Sequence, residues 1–111
     1  MNDNFWTDKY PAGIPPEIDA DLYPSIQAVL RESCERFAGL PAFSNMGKTL
    51  TYADIYRLSG DFAAWLQNHT DLQPGDRIAI QLPNILQYPV VGFGAIRAGL
   101  IVVNTNPLYT A

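Results

Sequence analysis

At 111 residues, 48% of them apolar and 16% charged, with a formal net charge of −4, the chain has the length of one domain or of one subdomain of a larger protein. Seven Lys and Arg against eleven Asp and Glu, with no block of like charge, exclude a general binder of phosphate backbones, which needs a basic face. A small anionic ligand held by backbone N–H groups stays open. A compact fold of this size would remove about 65% of the unfolded surface. The single cysteine, Cys34, can make no internal disulfide, which suits a reducing, cytoplasmic compartment. The opening MNDNFWTDKY lacks the basic and apolar regions of a signal peptide. The most apolar window, residues 85–103, contains Gln87, Pro89, Arg97 and three glycines. A central Arg alone costs about 2.5–3.5 kcal/mol on insertion, so the window reads as two buried elements and not as a membrane span.

Residues 1–24 carry four prolines, five acids and one base, and no period of 2 or 3.6 persists. They predict an extended arm. Its aromatics, Phe5, Trp6, Tyr10 and Tyr23, are too many for a solvated tail. The arm either packs on its own domain or docks on a second subunit. From residue 25 to 37 the apolar residues Ile26, Val29, Leu30, Cys34 and Phe37 recur at helical spacing, with Ser25 as cap and Gly39 as stop. Cys34 falls on the apolar face, where a thiol is buried and inert. Pro41 opens a strand over 42–45, Met46-Gly47 turns, and residues 48–51 return as a hairpin. Thr51 and Asp54 have the spacing of a capping box for a second amphipathic helix, which runs to about His69. His69, the one histidine, reads as a surface group at the helix C-terminus.

Gln73-Pro74-Gly75-Asp76 is a type II turn sequence. A strand follows over 77–82, with Ile78, Ile80 and Leu82 on one face. Asn84 is placed to cap a third helix over 85–98, with Pro89 in its first turn or at a kink and Gly99 just past its end. Residues 100–104 read as an apolar parallel strand covered on both faces. Residues 105–107 then form a loop at the strand's C-terminal end, where open parallel sheets bind ligands. The chain stops at Ala111 without a closing element and reads as cut there.

Motif by motif there is no visible active site. Gly92-Phe93-Gly94 lacks the third glycine of a dinucleotide fingerprint and sits inside a helix, where close packing explains it. Asn68-His69-Thr70 has the form of a glycosylation sequon, which has no meaning without secretion. No phosphate-binding loop, paired-cysteine motif, zinc-protease motif or nucleophile elbow occurs, and no catalytic or metal-ligating residue is assigned.

Four segments read together carry a resemblance: Leu50-Thr51-Tyr52-Ala53-Asp54, Gly75-Asp76-Arg77-Ile78-Ala79-Ile80, Leu82-Pro83-Asn84, and the run from Ala98 to Pro107. Their order and spacing resemble the start of the adenylate-forming superfamily of acyl- and aryl-CoA synthetases, luciferases and peptide-synthetase adenylation domains. The stretch QLPNILQYPVVGFGAIRAGLIVVNTNPLYT and the FWTDKYPAGIP arm are most similar to bacterial long-chain fatty-acid–CoA ligases. The resemblance implies an α/β fold: the N-terminal portion of the large AMP-binding domain, a partial, mostly parallel sheet flanked by helices, plus a small hairpin. Residues 1–24 would be the arm and 25–111 an incomplete α/β subdomain. It implies a two-step reaction in which a fatty acid and ATP give an acyl-adenylate and pyrophosphate, and CoA then displaces AMP.

ATP, CoA and Mg²⁺ would serve the full-length enzyme, which would be cytoplasmic with scope for a peripheral contact at the inner membrane and for a homodimer through the arm; no nucleic acid is involved. The phosphate loop, metal ligand and catalytic lysine would lie beyond Ala111, so the 111-residue chain alone would be inactive and bind none of these. By position, Asn106, Pro107 and Leu108 match the loop that borders the CoA nucleotide in related synthetases. Two other readings stay open: another acyl- or aryl-CoA synthetase of the superfamily, and a self-standing α/β interaction module without catalysis.

Overall fold

The computed structural model describes residues 5–111. Residues 1–4, the start of the expected arm and of the stretch searched for a signal peptide, lie outside the described residues. After a 3-10 turn at Thr7–Lys9, every residue from 8 to 27 is exposed. Of the arm's rings, Phe5 and Trp6 are 64% and 51% exposed and meet each other, 4.6 Å between centroids, while Tyr10 and Tyr23 are 40% and 37% exposed.

Helix α1, Ile26–Arg36, starts where expected: the Ser25 hydroxyl accepts from the Ala28 N–H at 3.1 Å. Its end differs from the expectation. Gly39 is not in the left-handed region, and the helix is closed by the Phe37 N–H on the Ser33 carbonyl. The carbonyls of Ala38 and Leu40 are already committed to the N–H groups of Ala53 and Tyr52, which holds this loop in a different path. Leu30 and Cys34 are buried, whereas Ile26 and Val29 on the same expected face remain exposed.

Strands β1, Pro41–Asn45, and β2, Lys48–Thr51, form the antiparallel hairpin. Met46 and Gly47 both have positive φ, 50° and 78°, the turn whose twist matches that of its strands. Helix α2, Tyr52–His69, begins on a complete capping box: the Asp54 N–H donates to Thr51 Oγ1 and the Thr51 N–H to Asp54 Oδ2. Hydrogen bonding to Thr51, its backbone N–H foremost, holds the Asp54 carboxyl below its ordinary range, with Arg57 adding to the effect.

Strands β3, Arg77–Ile80, and β4, Ile101–Asn104, pair in parallel, joined by helix α3, Gln87–Arg97. Strand β3 is two residues shorter than expected. Its last partner is Asn104, and the Thr105 N–H closes on the Ile80 carbonyl, so nothing remains for Gln81 and Leu82 to pair with. Asn84 does not cap α3: Leu86 is the cap residue and no side chain serves it. The Asn84 carbonyl instead accepts from Asn45 Nδ2 at 2.7 Å, which ties the hairpin to this loop. Pro89 lies in the first turn, where its missing N–H costs no helix bond. At the other end Gly99, at φ 82°, reverses the chain, with the Leu100 N–H on the Ala95 carbonyl and the Gly99 N–H on Ile96.

The core is two clusters. One joins Ala63 and Leu66 of α2 to Ala95, Ala98 and Leu100; the other joins Leu30 and Cys34 of α1 to Ile55 of α2. Helices α2 and α3 touch at Gly94, where a Cβ would stand 2.7 Å from Phe62 Cδ1 and 2.8 Å from the Ser59 carbonyl oxygen. Close packing thus accounts for Gly94 but not for Gly92, around which nothing lies within 4 Å. Strand β4 is covered on one face only: Val102 faces the core, while Ile101 and Val103 are 48% and 42% exposed. The expectation of two covered faces fails because the sheet has two strands and its helices lie on one side of β4. The accessible surface, 8466 Å², exceeds the roughly 6,100 Å² of a compact protein of this mass, so the chain removes nearer half of its unfolded surface than about 65%.

Candidate functional site

The C-terminal ends of β3 and β4 open into a groove of about 670 Å³. Ile80, Leu82, Pro83 and Asn84 form one wall; Asn104, Thr105, Asn106, Pro107, Leu108 and Tyr109 form the other, with Tyr88 of α3 between them. The topology dictates this. Both strands run the same way, so the loop leaving each emerges at the same edge.

The three expected site residues, Asn106, Pro107 and Leu108, lie together on this groove. They form a turn: the Tyr109 N–H donates to the Asn106 carbonyl at 3.1 Å, with Pro107 at the second position. Asn106 Oδ1 accepts from the Leu108 N–H at 2.9 Å, a side-chain mimic of a backbone turn. That bond uses the amide oxygen and leaves Nδ2 to donate.

Of the two groups beside them, Tyr88 was not singled out from the sequence, and Asn104 entered only as the polar end of its strand. The Tyr88 hydroxyl donates to Asn104 Oδ1 at 2.5 Å, joining α3 to the end of β4. Sixteen residues separate them, so no local spacing gives the pair away. No residue that lines the groove is charged.

Arg97 also escaped the sequence reading. Its Nη1 donates to the Tyr56 carbonyl and, at 2.9 Å, to Ser59 Oγ, and its guanidinium lies 4.2 Å from the Tyr56 ring centroid. It bolts α3 to α2 and lines a separate cleft of about 400 Å³ with Gln27 and Arg31. Cys34 is buried as expected; burial raises its thiol pKa, and the Arg97 charge offsets part of that rise. His69 is at the surface end of α2, stacked on Trp65 at 5.5 Å. Among the described residues no group of three His, Cys, Asp or Glu could hold a metal ion, and no helix is long and apolar enough to cross a membrane.

Comparison with known proteins gives the setting. The family described as AMP-binding enzyme matches residues 30–111. A long-chain-fatty-acid–CoA ligase of Yersinia pestis is 50% identical over 105 residues, covering 95% of this chain and 19% of that protein. The chain thus spans about a fifth of the length of the curated relatives it matches. Among solved structures, VinN superposes with a TM-score of 0.72 at 33% identity over 77% of this chain and 22% of its own. The N-terminal subdomain of Klebsiella oxytoca NpsA superposes at 0.74, with 22% identity, over 78% of this chain and 22% of its own, which speaks for the fold. With the family match running through both strands of the parallel pair and the groove they open, the chain belongs to the AMP-binding enzymes.

Proposed function

We propose that this chain is an α/β segment of an AMP-forming long-chain fatty-acid–CoA ligase. The observation that carries the reading is the 50% identity, sustained over 95% of the chain, to a ligase of that name. In such a reaction the fatty-acid carboxylate attacks the α-phosphate of ATP and releases pyrophosphate. The CoA thiol then attacks the acyl carbon and releases AMP. Both steps need fixed positive charge at the phosphates, and the groove has none. Mg²⁺ likewise finds no ligand cluster among the described residues. The reading assigns nucleotide activation to other parts of the full-length enzyme and gives this chain a wall of the acceptor side. Asn106, Pro107 and Leu108 border bound CoA: Pro107 fixes the turn, and Asn106 offers its Nδ2. The reading places the protein in the cytoplasm, with the exposed rings of Phe5, Trp6 and Tyr10 free for a second subunit or a membrane surface.

The test is acyl-CoA formation by the full-length protein with palmitate, ATP, Mg²⁺ and CoA. Thioester and AMP should appear in equal amounts and only when all four are present. Turnover of aryl acids but not of palmitate would transfer the protein to another branch of the family, and no turnover with either would sink the ligase reading. The 111-residue chain alone should release no AMP above the blank.

A further inference from the structure

We infer that the cleft between the start of α1 and the end of α3, with Arg31 and Arg97 in its lining, is a binding site for a phosphate-bearing anion. It encloses about 400 Å³, and no Asp or Glu lines it. No carboxylate among the described residues pairs with either arginine. Arg97 is half-buried, so its charge sits partly out of water with no counter-charge in this chain. Its guanidinium is held in place. Nη1 donates to the Tyr56 carbonyl and to Ser59 Oγ, and the Tyr56 ring lies against it. Gly60 gives it room, since a Cβ there would stand 3.1 Å from Nη1. Nε and Nη2 have no partner among the described residues, and both remain open to solvent. The cleft thus has a fixed planar cation with donors to spare, and a pair of phosphate oxygens matches that fork.

Two further groups act on the same space. Arg31, in the second turn of α1, adds a second cation with no ion pair of its own. Ser25 and Gln27 place the opening of α1 in the lining, where the N–H groups of Ile26 and Gln27 precede the first backbone bond, from Val29 to Ser25. Gln27 Nε2 donates to the Ile96 carbonyl at 2.7 Å, which fixes this end of α1 beside Arg97. Two cations and a helix N-terminus around one cleft suit a compact, multiply charged anion better than a single carboxylate. Pro24 and Leu30 add apolar wall, so the space accepts a phosphate ester as well as inorganic phosphate. The cleft shares no residue with the groove at the strand ends, and the inference does not rest on the ligase reading.

The experiment is hydrogen exchange on the full-length protein, with inorganic phosphate against chloride at matched ionic strength. Amides of residues 26–31 should exchange more slowly with phosphate, about threefold at twice the Kd. Exchange locates the effect, so phosphate held elsewhere in the full-length protein does not count toward it. Arg31→Gln should weaken the Kd at this site about tenfold, the scale of one charged hydrogen-bonding group, and erase the protection at the same phosphate concentration. Arg31 is exposed and unpaired, so this variant keeps the fold, whereas Arg97→Gln also cuts the bolt between α2 and α3. The Kd should rise with added chloride. Phenyl phosphate separates the two sources: tighter binding than inorganic phosphate, with the same dependence on Arg31, assigns the cleft to phosphate esters, and equal binding assigns it to the free ion. No slowing over residues 26–31 up to tens of millimolar phosphate would overturn the inference, and so would slowing that persists unchanged in Arg31→Gln. Neither result bears on thioester formation, which the ligase assay reads separately.

Discussion

Gly92 and Gly94 are two residues apart in one helix, yet their surroundings demand opposite outcomes for the same substitution. At Gly94 an added methyl meets the Phe62 ring and the Ser59 backbone, and backbone cannot step aside. Gly94→Ala should destabilise the protein by about 1–3 kcal/mol through overpacking. At Gly92 the space is open, so Gly92→Ala should stabilise by about 0.5–1 kcal/mol through helix propensity alone. Urea unfolding of both variants checks the pair, and a shared sign would contradict this account of the α2–α3 contact. The sequence could not divide the two glycines, because both sit in one apolar helical run and the discriminating atoms belong to a helix some thirty residues upstream. Arg97 was hidden in the same way. Read locally it only argues against a membrane span, while its partners, Tyr56 and Ser59, are 41 and 38 residues away.

Signals that act within four residues were legible, and the elements follow them. Ser25, the Thr51–Asp54 box, the Met46-Gly47 turn and the reversals at Gly75 and Gly99 all stand where the residue types require. The misses, the end of α1, the end of β3 and the start of α3, fall where a distant carbonyl or strand end had a competing claim. The groove was half legible: strand ends located it and the family resemblance picked out Asn106, but the Tyr88–Asn104 bond needs the fold. At the level of one element, the capping box of α2 should make stability depend on pH. Asp54 has a lowered pKa in the folded protein, so its contribution is complete above the ordinary carboxylate range and is lost as pH falls through that lowered value. Asp54→Asn should flatten this acid limb of the stability profile, and Thr51→Ala should cost about 1 kcal/mol near neutral pH. Thermal melts of both variants from pH 7 downward provide the measurement. An unchanged acid limb in Asp54→Asn would mean that other carboxylates set it.

Across the whole molecule, two small clusters share an extended frame. The radius of gyration, 17.5 Å, exceeds the roughly 13 Å of a compact chain of this length, and the exposed arm explains much of the difference. The open face of β4 explains part of the excess surface, since Ile101 and Val103 stand out from a two-stranded sheet with free edges. The 111-residue chain should therefore self-associate at micromolar concentration, and Val103→Lys should return it toward the 12.3 kDa monomer in light scattering. A monodisperse wild-type monomer would show that this face does not drive association. The bonds at the opposite end of the sheet have a kinetic consequence. The Gly75 N–H binds the Gly99 carbonyl at 2.8 Å, the Ile101 N–H binds the Asp76 carbonyl, and Pro74 packs over Gly99, so two reversals 24 residues apart clasp each other where the two strands start. Nearly half of the intervening chain is one helix, which shortens the wandering sequence that has to be closed when the clasp forms. Residues 74–105 should then open and close as one cooperative unit, with the amide protons of Gly75, Ile101 and Thr105 exchanging with deuterium at a common rate and more slowly than those of the hairpin.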